Sequence, residues 1–170
     1  MSDRNIILTG FMGTGKSTLG RLLAERLQYR FIDTDVEIES RNGCSVATIF
    51  KEQGEAAFRT MESELVAELA QRRRLVIATG GGLVMNPANV ERLSASGTII
   101  CLTAETGEIL ERVARQADVR PLLQESDPRA RVNELLRQRE PVYAQFAQLS
   151  TTGRSPDSLV STLLEMLLPN

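Results

Sequence analysis

The chain has 170 residues, 42% of them hydrophobic and 25% charged, with a formal net charge of −2. This length and composition predict a single globular domain, residues 1–170, with enough apolar material for its own core. The mild acidity argues against a nucleic-acid-binding protein, because such proteins hold phosphates with an excess of Lys and Arg. The chain contains no histidine, which excludes histidine-dependent triads and histidine-ligated zinc sites.

The start of the chain predicts a cytoplasmic protein. Residues 1–5 are polar and lead directly into an apolar run, which leaves no room for a signal peptide. No stretch approaches the roughly 18 apolar residues that a membrane span needs. Cys44 and Cys101 form neither a disulfide framework nor a metal cluster, and Cys101 lies in an apolar run typical of the core.

Apolar runs of strand length alternate with segments of helical periodicity along the chain. We predict strands at 6–9, 30–32, 75–78 and 98–102. We predict helices at 18–26, 36–41, 46–53, 56–71, 105–115, 128–139 and 156–168. Strands separated by helices are typical of βαβ units, so the predicted class is a three-layer α/β fold with a parallel sheet.

Residues 10–17, Gly-Phe-Met-Gly-Thr-Gly-Lys-Ser, fit the phosphate-binding pattern G-x-x-x-x-G-K-[ST]. Glycines let backbone N–H groups approach phosphate oxygens, Lys16 supplies a charge to the β- and γ-phosphates, and Ser17 supplies a hydroxyl to Mg²⁺. An apolar strand before the loop and an amphipathic helix after it favour this interpretation over a simple glycine-rich turn. The predicted nucleotide-binding residues of this loop are Gly13, Thr14, Gly15, Lys16, Ser17 and Thr18.

Further along the chain, three features indicate where an acceptor would bind. Asp33 and Asp35 follow the second strand, and Gly80, Gly81 and Gly82 follow the third, at the edge where open α/β sheets place their ligands. The third feature is a pair of arginines, Arg59 after Ala57-Phe58 and Arg139 before Glu140-Pro141. Each feature alone is equally compatible with a cap, a flexible loop or a solvated charge.

In combination and order, these features resemble the shikimate kinase family. The resemblance extends over nearly the whole chain, from Ile6 to about Leu168. It rests on the phosphate loop, Asp33-Thr34-Asp35, Phe58-Arg59, Gly80-Gly81-Gly82, Val119-Arg120-Pro121-Leu122-Leu123 and Arg139-Glu140-Pro141-Val142-Tyr143. It implies a P-loop fold with a five-stranded parallel sheet in the order 2-3-1-4-5, a mobile lid at about 116–127 and a shikimate-binding helical region at about 33–61.

The resemblance also implies a role for each site residue. Asp35, Lys16 and Arg120 would be catalytic, with Asp35 holding the shikimate hydroxyls and Arg120 closing from the lid. Arg59 and Arg139 would clamp the carboxylate of shikimate beside Gly80–Gly82. Glu62 lies three residues after Arg59, on the same helix face, so we expect it to hold that arginine. Asp33 and Ser17 would serve one Mg²⁺ per ATP. Arg112, or alternatively Arg115, and Arg154 would lie near adenine.

One segment departs from the family pattern. Residues 147–152 are shorter and more polar than the usual last strand, which affects the expected length of strand 5 and the adenine contact.

Two other functions stay open. The chain could phosphorylate another small acceptor, such as gluconate or a nucleotide, or could be a binding module without catalysis. The predicted partners are ATP and shikimate, with no nucleic acid and no membrane, and the expected state is a monomer.

Overall fold

The computed structural model describes residues 3–115 and 126–168, which form one sheet between two layers of helices. The strands run parallel in the order β2-β3-β1-β4-β5. They are β1 (Asn5–Gly10), β2 (Arg30–Asp33), β3 (Leu75–Ala78), β4 (Gly97–Thr103) and β5 (Ala147–Ser150). The predicted fold class and strand order are confirmed, and β5 is a short strand of 4 residues.

Helices connect the strands, and several of them begin at a side-chain cap followed by proline. The helices are α1 (Lys16–Leu27), α2 (Thr34–Asn42), α3 (Val46–Gln53), α4 (Glu55–Leu69), α5 (Pro87–Ser96), α6 (Thr106–Ala114), α7 (Pro128–Tyr143) and α8 (Pro156–Met166), with a 3₁₀ turn at Leu83–Met85. Asn86, Asp127 and Ser155 cap α5, α7 and α8, each directly before a proline. In the described ranges, no helix is long and apolar enough to cross a membrane.

Two helices differ by more than two residues from the sequence predictions. Helix α5 lies where the periodicity predicts no element, although Asn86 and Pro87 form a recognisable start signal. Helix α7 is predicted to end at Arg139 but continues through Pro141 to Tyr143. Pro141 lacks the N–H for a backbone hydrogen bond to Arg137, and burial of Tyr143 holds the final turn in place. Most of the predicted lid, including Arg120, lies outside the described residues.

The central strand β1 is buried along its whole length and separates two apolar cores. Ile7 faces the core formed with α2 to α7, while Leu8 faces the core formed with α1 and α8. Successive side chains of a strand point to opposite faces, which explains this division. Cys101 is fully buried in the first core, as predicted, and burial raises the pKa of its thiol to about 11.

The sheet register brings the functional loops together at one edge. In β2 and β3, Asp33 pairs with Ala78, and in β1 and β4, Gly10 pairs with Leu102. Because all strands are parallel, the phosphate loop, the acidic segment after β2 and the three glycines after β3 leave the sheet at the same edge. The fold therefore places the predicted site residues side by side.

Candidate active site

The phosphate loop is a tightly packed turn between β1 and α1. Gly10 has φ +131°, and a β-carbon there would collide with the carbonyl oxygen of Leu102. The buried Thr14 hydroxyl donates to the carbonyl of Phe11 at 2.7 Å and closes the turn. Glycine is therefore required at position 10, and the loop geometry is fixed by its own hydrogen bonds.

Two side chains of this loop point toward the phosphate side of the site. The ammonium group of Lys16 donates to the carbonyls of Gly10 and Phe11 at 2.8 and 2.7 Å, which curls it over the loop. The Ser17 hydroxyl donates to Oδ2 of Asp33 at 2.5 Å. Oδ1 of Asp33 accepts from the backbone N–H of Asp35 at 3.1 Å and so caps α2. Hydroxyl and carboxylate oxygens are the ligands that Mg²⁺ prefers, so Ser17 and Asp33 together fit that ion.

The three glycines after β3 lie against the three charged residues predicted to bind the acceptor. A β-carbon on Gly80 would lie 2.7 Å from Oδ1 of Asp35. On Gly81 it would lie 2.8 Å from Nη1 of Arg139, and on Gly82 it would lie 2.5 Å from Nη2 of Arg59. The absence of side chains on this segment is what allows one carboxylate and two guanidinium groups to converge on its backbone.

Arg59 is held by acidic neighbours on its own helix, α4. It donates to Oε2 of the buried Glu62 at 2.7 Å and to Oε1 of Glu55 at 3.1 Å. Burial acts to lower the pKa of Arg59, but these carboxylates together raise it above its usual value. Burial raises the pKa of Glu62, a rise that the hydrogen bond from Arg59 opposes and the nearby Asp35 carboxylate reinforces. The predicted pairing of Glu62 with Arg59 is confirmed.

Arg139 approaches the same segment from α7. Its guanidinium carbon lies 5.4 Å from the centroid of the Phe11 ring in the phosphate loop. Tyr143, one helical turn later, donates its hydroxyl to the carbonyl of Gly81 at 2.7 Å. Burial raises the pKa of Tyr143 to about 12, with the charge of Arg139 acting in the opposite direction. The acceptor residues therefore adjoin the phosphate loop.

On the other side of the phosphate loop, Arg112 links the loop to the segment after β5. It donates to the carbonyl of Gly13 at 3.2 Å and to the Thr151 hydroxyl at 2.9 Å. Glu108 binds Arg112 with one oxygen at 2.7 Å and the backbone N–H of Gly153 with the other at 3.0 Å.

The two other arginines predicted near adenine are placed differently. Arg115 is 80% exposed and lies 3.8 Å from Glu111, on the outside of α6. Arg154 donates to Ser158 and Thr162 along α8. Of the two alternatives considered for the adenine contact, Arg112 is therefore the one that contacts the phosphate loop.

Sequence reasoning missed three residues whose hydrogen bonds join separate segments of the site. The Thr34 hydroxyl, between the two aspartates, accepts from the backbone N–H of Gly80 at 3.0 Å. Tyr143 anchors Gly81, and Glu108 anchors Arg112 and Gly153. Thr34 and Tyr143 lie within the motifs that carry the family resemblance, so their position was the only available signal. Glu108 had no signal beyond its four-residue spacing from Arg112.

A phosphate loop, an acidic strand end, and a carboxylate with two guanidinium groups packed on a glycine segment lie at one sheet edge. This arrangement defines a small-molecule kinase of the P-loop class. The shikimate kinase family model matches residues 12–168. The chain therefore belongs to the shikimate kinase family.

Individual relatives agree with this assignment. A shikimate kinase of Synechococcus sp. (strain CC9605) is 42% identical over 169 residues, covering 98% of this chain and 84% of the relative. A shikimate kinase of Aromatoleum aromaticum is 47% identical over 148 residues, covering 87% of this chain and 84% of the relative. The structure of the Acinetobacter baumannii shikimate kinase in complex with shikimate superimposes with a TM-score of 0.90 at 38% identity, covering 96% of this chain and 92% of that one.

Proposed function

We propose that this chain transfers the γ-phosphoryl group of ATP to the 3-hydroxyl of shikimate, giving shikimate 3-phosphate and ADP. The observation that carries the proposal is the packing of Asp35, Arg139 and Arg59 against Gly80, Gly81 and Gly82 respectively. A carboxylate suits an acceptor hydroxyl, and two guanidinium groups suit an acceptor carboxylate. Shikimate carries both groups on one ring.

On the acceptor side, Arg59 and Arg139 bind the substrate carboxylate while Asp35 orients the reacting hydroxyl. The hydroxyl oxygen forms the new bond to the γ-phosphorus as the bond to the β-phosphate oxygen breaks, and its proton passes to Asp35. Such a transfer depends more on positioning and charge stabilisation than on a strong base, so a carboxylate suffices in a chain without histidine. The backbone of Gly80–Gly82 lies against the ring.

On the donor side, the backbone of the phosphate loop and Lys16 bind the phosphates, with Gly13, Thr14, Gly15 and Thr18 around them. Ser17 and Asp33 would hold Mg²⁺, which would neutralise charge on the phosphates. Their contact at 2.5 Å supports this assignment. Arg112 and Arg154 are proposed to bind near adenine, and Arg120 to stabilise the transferring group.

The direct test is shikimate-dependent ADP release by the purified protein with Mg-ATP. Gluconate and nucleoside monophosphates serve as parallel acceptors, because gluconate also offers a carboxylate and hydroxyls. We expect strong release with shikimate alone. ATP binding without shikimate-dependent release would overturn the proposed acceptor and leave only the nucleotide site.

The proposal includes a monomer in the cytoplasm as the working form. Size-exclusion chromatography with light scattering at working concentration is expected to give the mass of one chain, 18.8 kDa. A mass of two chains would contradict it.

A further inference from the structure

The segment Gly80–Gly82 must keep its shape although glycine is the residue with the greatest backbone freedom. Two of its hydrogen bonds are internal to the following turn: Leu83 donates to the carbonyl of Gly80 at 3.2 Å, and Met85 to that of Gly82 at 3.1 Å. Two others come from side-chain hydroxyls. Thr34 accepts from the N–H of Gly80 at 3.0 Å, and Tyr143 donates to the carbonyl of Gly81 at 2.7 Å.

Each of these hydroxyls belongs to the same element as the charged side chain that faces the same glycine. Thr34 precedes Asp35 in α2, and both contact Gly80. Tyr143 follows Arg139 by one turn of α7, and both lie against Gly81. The distance between each glycine backbone and its charged partner is therefore set within a single helix at each of these two positions.

Both hydroxyls are well suited to a permanent anchoring role. Thr34 and Tyr143 are buried, with 0% and 5% of their surface exposed, so water does not compete for their hydrogen bonds. Because burial raises the pKa of Tyr143 to about 12, this hydroxyl keeps its proton and remains a donor at every working pH. A fixed Gly81 carbonyl also prevents the peptide unit between Gly81 and Gly82 from rotating.

We propose that the hydroxyls of Thr34 and Tyr143 are positioning groups of the acceptor site. They hold the backbone of Gly80 and Gly81 at the correct distance from Asp35 and Arg139. The proposal rests on the proposed function, because it assigns both hydroxyls to shikimate binding. It predicts an effect on the acceptor side of the reaction rather than a uniform loss of folded protein.

The two tyrosines of the chain provide a matched pair of variants. Tyr143→Phe removes only the anchoring oxygen, and Tyr29→Phe makes the same change on the partly buried tyrosine beside Arg74, on the opposite core. Thr34→Val removes the acceptor for the Gly80 N–H at nearly constant volume, whereas Thr34→Ser keeps the oxygen. Thermal unfolding is measured for every variant, with KM for shikimate, KM for ATP and kcat.

We expect Tyr143→Phe and Thr34→Val each to raise the shikimate KM about three- to tenfold, the range for one lost hydrogen bond. The ATP KM stays within about twofold, and Tyr29→Phe and Thr34→Ser stay close to wild type. A shikimate KM unchanged in folded Tyr143→Phe, or an equal rise of both KM values, would overturn the proposal. If Tyr143→Phe does not fold, the comparison of Thr34→Val with Thr34→Ser tests the proposal by the same criteria.

The wild-type protein distinguishes failure of this proposal from failure of the proposed function. Wild-type turnover with shikimate together with unchanged variants contradicts the anchoring role alone. Absence of shikimate-dependent turnover in the wild type contradicts the function itself.

Discussion

The Ser17 hydroxyl and Oδ2 of Asp33 lie 2.5 Å apart, at the point where the phosphate loop meets the end of β2. The other oxygen of Asp33 caps the helix that begins with Thr34 and Asp35. One carboxylate therefore connects the donor side of the site to the acceptor side. This connection explains why two aspartates one residue apart can have different roles: the first is fixed by the fold, and the second faces Gly80.

Asp35→Asn should abolish most turnover while preserving ATP binding. The amide keeps the shape of the side chain but cannot take the hydroxyl proton, and loss of a general base costs about 10²- to 10⁴-fold in rate. Turnover and the ATP dissociation constant are measured on the same preparation. Loss of ATP affinity as large as the loss of rate would contradict the acceptor role.

Arg139→Ala should raise the shikimate KM by about 10- to 100-fold, because the substrate carboxylate loses a charge-assisted hydrogen bond. Arg137→Ala is the matched control, since it removes the same charge from an exposed position of the same helix. Steady-state kinetics with each substrate varied in turn separates the two KM values. A rise confined to the ATP KM would show that Arg139 is wrongly placed.

Gly82→Ala and Gly10→Ala should both lower stability, but by different amounts. At Gly82 the added carbon meets the guanidinium group of Arg59 rather than backbone, so we expect a smaller loss of stability than at Gly10 but a higher shikimate KM. At Gly10 it meets a backbone carbonyl at φ +131°, so we expect a loss of several kcal/mol. Thermal unfolding tests both, and equal melting temperatures would contradict the prediction.

Glu62→Gln should change how stability depends on pH. The folded chain holds the Glu62 proton more tightly than the unfolded chain, whose carboxyl titrates near 4.5. Above that value the unfolded state binds fewer protons, so this group makes the free energy of unfolding fall as pH rises toward the folded pKa. Urea unfolding across this range should show that the wild type exceeds Glu62→Gln in free energy of unfolding by less and less as pH rises. A difference in unfolding free energy that stays constant with pH would contradict this prediction.

Arg112→Ala should raise the ATP KM, whereas Arg115→Ala should not. Arg112 connects Gly13 to Thr151, while Arg115 points outward from α6 at 80% exposure. Both variants remove one arginine from the same region, so net charge is matched. Equal effects of the two substitutions on the ATP KM would mean that the contact with Gly13 has no role in nucleotide binding.

Local sequence patterns were enough to predict the phosphate loop and the parallel sheet of this protein. The phosphate loop could be located because its glycine spacing encodes backbone geometry within eight residues, and the sheet because short apolar runs alternate with helices. The family pattern supplied the strand order and the roles of the acceptor residues, and the three-residue spacing on one helix face supplied the pairing of Glu62 with Arg59. Helix α5 was missed because its buried positions are Asn89, Leu93 and Ser96, of which only Leu93 has a large apolar side chain.

Only the tertiary structure decided which residues meet. Tyr143 and Gly81 are 62 positions apart, and Thr34 and Gly80 are 46 apart, so no local pattern could pair them. The choice of Arg112 over Arg115 for contact with the phosphate loop depends likewise on the face of α6 that packs inward. Such contacts arise because burial in a shared core sets the separation of distant segments, whereas local sequence sets only the conformation of each segment.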